Sequence, residues 1–320
     1  MDGADLEVFE RSLRNATDRH TGGPLDAALA ELGWHDALTV DPEAAISTLF
    51  GLQGAANVTS SALGHVLAHA LGLEATAGPG VVLPTIGRWD PPGTLEDGLL
   101  RVDGLATAAL ADRESAVVVA STRDGVRVVT VATSSLEVRR VAGVDPGLGL
   151  LQVTGASLPV TADPASPPGG WVPAVTFGRL ATAHELVGAS RTMLELARQH
   201  ALGRIQFGQP ISSFQAVRHR LAETLVAIEM ADAMLDAAWL DGSSGSAAMA
   251  KAVAGRQART TARHCQQVLA GIGFTDEHPL HLYIRRVLVL DGLFGTAAAI
   301  TKSLGDELIA GGRLPPLVPL

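Results

Sequence analysis

The chain has 320 residues, of which 47% are hydrophobic, 18% charged and only 4% aromatic. At about 100–200 residues per domain this length accommodates two or three domains, and the apolar fraction excludes intrinsic disorder as the main state. The net charge of −9, from 24 basic and 33 acidic residues, argues against free nucleic acid or an anionic membrane as a general partner, so any anionic ligand must be met by a local basic cluster.

Residues 1–77 read as an N-terminal helical domain. The first twenty residues are charged and carry no apolar signal-peptide core. Within Ala45–Leu73, apolar residues such as Ile46, Leu49, Leu63 and Val66 recur at helical spacing, interrupted by Gly51, Gly54 and Gly64. The proline- and glycine-rich stretch 78–93 cannot continue a helix. Residues 78–165 then read as a central β domain. Residues 116–120 and 126–131 form valine-rich runs around Arg123-Asp124-Gly125 and predict a hairpin, and Leu136–Val141 and Leu150–Val153 predict further strands. Residues 162–173 are a proline- and glycine-rich linker. Residues 166–320 predict a C-terminal bundle of four or five helices. Leu180, Val187, Leu194 and Ala201 share one face, and Val217, Leu221, Leu225 and Ile228 form a stripe on the next helix. A third helix, Ser246–Leu269, lines up Arg256, Arg259 and Arg263. The fold class expected is mainly α with a central β domain.

The single Cys265 fits a reducing compartment. No uncharged apolar run reaches the roughly 18 residues needed to span a bilayer, so a cytoplasmic protein with no membrane partner is expected. There is no GxGxxG after a strand, no Walker loop, no HExxH and no GxSxG. His264, His278 and His281 are close in sequence, and His278 and His281 could share a helical face, but no third ligand stands at a convincing spacing, so no metal site is expected.

Two segments stand out. In residues 201–215, ALGRIQFGQPISSFQ, an arginine and an aromatic sit beside a glycine between two helices; in residues 266–286, QQVLAGIGFTDEHPLHLYIRR, Gln267 precedes Gly271 and Gly273. An arginine at a helix end offers a planar fork for phosphate, and glycines admit close backbone approach by an extended ligand. These segments resemble the R-x-x-F-G-x-P-(I/L)-x-x-F-Q and Q-(I/V/L)-x-G-x-G-(F/Y) motifs of the acyl-CoA dehydrogenases, FAD enzymes that desaturate acyl thioesters between Cα and Cβ. The resemblance implies a helical N-domain, a small β-barrel or sheet domain and a C-terminal four-helix bundle. It also implies FAD as cofactor, an acyl-CoA thioester as substrate and an electron-transferring flavoprotein as acceptor. By this resemblance Arg204, Phe207, Gln215, Gln267, Gly271, Gly273 and Thr296 are cofactor-binding positions, the arginine and glutamine segments reaching FAD across a dimer interface. Arg179 is a substrate-side candidate, and Ala270 stands where the family often has a further glycine.

The catalytic base is the main departure. A carboxylate must reach the α-proton, so its place is tightly set. Most family members carry it in Y-E-G-T, which here reads Leu293-Phe294-Gly295-Thr296; a minority carry it before an arginine on an earlier helix, which here reads Gly178-Arg179. Neither Phe294 nor Gly178 can accept a proton, leaving Asp291 and Glu185 as weak substitutes. The family's T-E-P and G-S-D loop signals are also missing from the β domain, where Trp89 is an isolated remnant, and the N-terminal section is short for the family. The pattern resembles the base-lacking chain of actinobacterial heteromeric α2β2 dehydrogenases acting on steroid side-chain thioesters, with a second, catalytic subunit as partner. Two alternatives remain: a non-catalytic structural or acyl-CoA-binding subunit, and an active homo-oligomer with a relocated base.

Overall fold

The computed structural model describes residues 3–73, 80–160 and 164–311. The helix-to-strand boundary expected at Ala77, part of the linker and the last nine residues lie outside these.

Five helices come first: α1 (Gly3–Arg19), α2 (Gly23–Glu31), α3 (Trp34–Val40), α4 (Pro42–Ala56) and α5 (Ala62–Ala70). Helix α4 begins on a cap with clear sequence chemistry: the Asp41 carboxylate accepts from Ala44 N at 3.1 Å, and Pro42 supplies the first helical residue. Leu13, Leu25, Trp34, Leu38, Leu49 and Phe50 are buried between these helices.

The sheet follows: β1 (Gly80–Val81), β2 (Gly93–Glu96), β3 (Leu99–Ala106), β4 (Ser115–Thr122), β5 (Gly125–Ala132), β6 (Glu137–Arg140) and β7 (Leu151–Pro159). The expected hairpin is β4–β5, antiparallel with Thr122 opposite Gly125. A second hairpin, β2–β3, turns through Asp97-Gly98, both at positive φ. Asp-Gly is a strong type I′ turn signal, so the residues themselves announce this second hairpin. The strand order is β1-β4-β2-β3-β7-β6, with β5 paired to β4. Alternation along β4 sends Val117 and Val119 into the core shared with the helices, while Ala116, Val118 and Ala120 face a second core within the sheet domain.

The C-terminal part consists of α6 (Trp171–Gly203), a short hairpin of β8 (Ile205–Gln206) and β9 (Gln209–Pro210), α7 (Gln215–Asp241), α8 (Ser244–Leu269), α9 (Leu280–Gly292) and α10 (Ala297–Gly311). Helix α6 is covered on most of its circumference from Gly178 to Ser190, because α4 and α5 pack on it together with α7, α8 and α9. Gly54 and Gly188 make the α4 crossing possible: a Cβ at either would stand 2.1 Å from a backbone oxygen of the facing helix. The glycines that seem to interrupt α4 in the sequence therefore mark helix contact rather than a break.

The stripe expected on α7 needs correction. Leu225 is exposed, and the buried face runs through Thr224, Ala227, Ile228, Ala231 and Leu235. Leu280–Gly311 is long and apolar enough by composition to cross a membrane. It is broken into α9 and α10 at residues 293–296, and α9 packs against α6 and α8.

Candidate functional site

The residues singled out from the sequence fall into two groups at opposite ends of α6. Phe207-Gly208 forms the tip of the β8–β9 hairpin, with both residues at positive φ (51° and 77°). A bulky residue in that region is strained. Phe207 is nevertheless 91% exposed, its ring meeting only Phe214 edge-on at 6.0 Å among aromatic neighbours. Arg204, just past α6, is exposed and has no carboxylate partner among the described residues. Gln215 opens α7 and its amide lies 3.4 Å from the His219 ring. Gln267 is exposed near the end of α8. The His200 and His278 rings, 6.5 Å apart, bring the hairpin end of α6 to the loop that follows α8.

The glycines of the second segment differ from each other. A Cβ at Gly271 would meet nothing within 4 Å, so its surface is open to an outside ligand. A Cβ at Gly273 would stand 2.9 Å from the Leu269 Cβ, so packing inside the chain already requires this glycine. Ala270 ends α8 at φ 52°, ψ −132°, a conformation that belongs to glycine. Ala270→Gly will therefore raise stability by up to about 1 kcal/mol in urea unfolding, offset in part by the freer unfolded chain.

At the other end lie Phe294 and Gly178, the two positions at which the resemblance leads one to expect a base. Phe294 is 1% exposed and a Cβ at Gly178 would stand 2.6 Å from its ring. The phenyl ring thus lies on the α6 backbone where a Gly178 side chain would project. Trp89 closes the same space: its ring lies against Gly295, its carbonyl accepts from Trp171 Nε1 at 2.9 Å, and the Arg179 guanidinium sits 5.2 Å above it. Arg179 Nε also donates to Phe294 O at 3.3 Å, and burial pulls its guanidinium down to about 10. Lys251, fully buried, donates from Nζ to Asp291 O at 3.0 Å and approaches Gly295 O at 3.4 Å; burial lowers it to about 8. Trp89 and Lys251 carry this loop, yet the sequence marks one only as a remnant and hides the other in an alanine-rich helix face.

The two substitute carboxylates are already engaged. Asp291 pairs with Arg259 at 3.0 Å and caps α10 by accepting from Ala297 N at 3.0 Å. Glu185 accepts from Arg286 Nη1 at 3.0 Å inside the core, where burial outweighs the arginine and lifts its carboxyl to about 7. Thr296 caps α10 by accepting from Ala299 N and lines a cavity with Arg256, Arg259 and Arg263. His264 hydrogen-bonds Thr224 at 2.9 Å, and His281 hydrogen-bonds His278 O at 2.8 Å. Cys265 is buried and its thiol is pushed up to about 12, which makes it inert.

Residues 172–309 match the family profile described as acyl-CoA dehydrogenase, C-terminal domain. The chain is 39% identical over 153 residues to acyl-CoA dehydrogenase FadE34 of Mycobacterium tuberculosis, covering 42% of this chain and 22% of that protein. It is 35% identical over 126 residues to acyl-CoA dehydrogenase IpdE2 of the same organism, covering 39% and 40%. The chain thus spans well under half the length of these two curated relatives. Among solved structures, a variant of the Tcur3481–Tcur3483 steroid ACAD superposes with a TM-score of 0.79 at 20% identity, over 97% of this chain and 99% of that one. The ChsE4–ChsE5 complex from Mycobacterium tuberculosis gives 0.78 at 20% identity, over 99% of both. The chain shares the fold of these structures over nearly its whole length, and the two motif-bearing segments lie inside residues 172–309, the region that matches the acyl-CoA dehydrogenase C-terminal domain.

Proposed function

We propose that this chain is the base-lacking subunit of a heteromeric FAD-dependent acyl-CoA dehydrogenase, lending Arg204, Phe207, Gln267 and Gly271 to a flavin site completed by a second, catalytic subunit. One observation carries the reading. From Gly178 to Gly203, α6 rises over 25 residue steps, about 37 Å at 1.5 Å each, which is longer than an extended flavin dinucleotide. The open, unpaired groups at the hairpin end and the filled space at Phe294 cannot belong to one cofactor bound by one chain.

The fit of FAD differs at the two ends. At the hairpin end of α6 the exposed Arg204 cation, and after α8 the exposed Gln267 amide and the open Gly271 surface, are available to a phosphate and a nucleoside arriving from outside the chain. At the other end, the Phe294 ring lies against Gly178 and the Trp89 ring against Gly295, so this chain's own side chains fill the space beside both glycines. When bound, FAD accepts the β-hydride during desaturation of the thioester. This chain's own residues bind and orient, while the carboxylate that takes the α-proton comes from the partner. Ile205, Phe207 and Phe274, in the same two segments, are exposed and suit coverage by that subunit. The assembly is α2β2, and steroid side-chain thioesters are the substrate class, in keeping with the steroid ACAD named among the solved structures. An electron-transferring flavoprotein takes the electrons, and the setting is cytoplasmic.

Arg204→Ala in the assembled complex will lower FAD affinity at least tenfold, because a charge-assisted contact contributes about 1.5–3 kcal/mol. Flavin absorbance per complex after gel filtration reads the effect, and unchanged occupancy would overturn the shared site.

A further inference from the structure

We infer that His200, backed by the His278 ring, is a further anion-binding group of the donated flavin site, and that it takes up a proton as the flavin's diphosphate arrives. The inference deepens the shared-flavin reading and rests on it. His200 lies in the last turn of α6, four residues before Arg204, whose backbone N–H donates to the His200 carbonyl at 2.9 Å. Residues four apart share a helix face, and the Arg204 cation is close enough to act on the ring. The His278 ring, from the loop that follows α8, meets the His200 ring edge-on, with 6.5 Å between centroids and 84° between planes. Both residues are half-buried, and the His200 ring makes no hydrogen bond among the described residues.

Two adjacent imidazoles repel when both are charged, and their surroundings decide which one takes the proton. Leu280 N donates to His278 Nδ1 at 3.2 Å, so His278 keeps its own proton on Nε2 and stays neutral. A second proton would break that bond and put a cation at the N-terminus of α9. His200 sits at the opposite kind of terminus, the C-terminal end of a 33-residue helix, where a cation is favoured. In the free chain, burial and then the Arg204 cation hold its ring below the ordinary 6.5. The other charges around it are mostly paired. On α6, Glu195 holds Arg198 at 2.7 Å. Before and within α9, Asp276 lies 3.6 Å from His281 Nε2 and 3.3 Å from Arg285, and Glu277 is exposed. Helix α7, packed along α6, brings Arg218 and His219 near its start. A diphosphate against Arg204 offsets the charge that holds the His200 ring down and offers oxygens to its N–H groups, so the ring gains affinity for a proton. The diphosphate itself stays ionised near neutral pH, so the proton goes to the protein.

The test is calorimetric titration of FAD into the flavin-depleted, assembled complex, in two buffers of different ionisation enthalpy, from pH 5.5 to pH 8. The difference between the buffers counts the protons taken up. A net uptake is expected around pH 6.5, with FAD affinity greatest at the acid end and falling about three- to tenfold toward pH 8. His200→Gln should abolish both the uptake and the pH dependence, while His278→Gln should keep them. A circular-dichroism melt matching the unsubstituted complex certifies the fold of each variant. No uptake, an unchanged uptake in His200→Gln, or its loss in His278→Gln would each overturn the inference. If Arg204→Ala then still loses FAD, the shared-flavin reading stands; if Arg204→Ala retains FAD, that reading fails and this inference with it.

Discussion

Arg286→Ala will destabilise the chain by about 3–5 kcal/mol at pH 8 and by distinctly less at pH 5. Arg286 is 1% exposed and joins three parts of the molecule. From α9 it donates to Val58 O and Thr59 Oγ1 in the N-terminal helical part, and to Glu185 on α6 at 3.0 Å. Its Nε also lies 3.5 Å from Asp145 of the sheet domain, an ion pair without hydrogen-bond geometry. Removing the cation leaves the Glu185 carboxylate uncompensated in the core.

The pH dependence follows from Glu185, whose folded value of about 7 lies above its ordinary 4.5. Between those values the folded chain holds a proton that the unfolded chain releases, so this contribution is fully present below pH 4.5 and is lost as pH rises through 7. At pH 5 the neutral carboxyl tolerates the missing arginine; at pH 8 the carboxylate does not. Glu185→Gln should remove this contribution and leave the opposite slope of His184, whose buried ring is held down at about 4, so that stability rises with pH between 4 and 6.5. An unchanged pH profile would contradict the assignment to Glu185. Urea unfolding at both pH values reads both effects.

Phe294→Ala will cost about 3–5 kcal/mol, as deletion of a buried phenyl ring does when its surroundings cannot collapse. The informative comparison is with Gly178→Ala. In the unsubstituted chain the new methyl would stand 2.6 Å from the ring, and overpacking of that kind costs about 1–3 kcal/mol. In the Phe294→Ala background the ring is gone and the same change should become stabilising by about 0.5–1 kcal/mol, the ordinary advantage of alanine over glycine inside a helix. A sign reversal in this double-mutant cycle would establish that the two base positions exclude each other. Additive effects would contradict the packing described.

Much of the architecture was legible in the residues, for reasons that can be named. The β4–β5 hairpin was written in two valine-rich runs around a short turn, and the long C-terminal helices in their apolar spacing. The misreadings have causes as well. Asp97-Gly98 stands in a proline- and acid-rich stretch without flanking valine runs, yet both residues take the positive φ that a two-residue hairpin needs. Leu225 falls at the four-residue spacing of Val217 and Leu221, yet it is exposed, and the buried face instead carries Thr224, which hydrogen-bonds His264 of α8, with Ala227 and Ile228.

At the site, the resemblance marked Phe294 and Gly178 separately as positions unable to act as base. Their contact spans 116 positions of chain, and no local pattern announces it. Nor does sequence reveal that Arg286 binds residues 101 and 228 positions away. The Arg256, Arg259 and Arg263 row was visible as a helix face, but the cavity it lines exists only once α10 packs beside it.

The central claim is that this chain contributes half a flavin site, and flavin stoichiometry tests it most directly. The chain is purified alone and together with a candidate catalytic subunit, and flavin absorbance and acyl-CoA oxidation are recorded for each. The account predicts little flavin and no turnover for the single chain, and about one FAD per pair of unlike chains with turnover in the complex. One tightly bound FAD per chain with acyl-CoA oxidation by the single chain would contradict it.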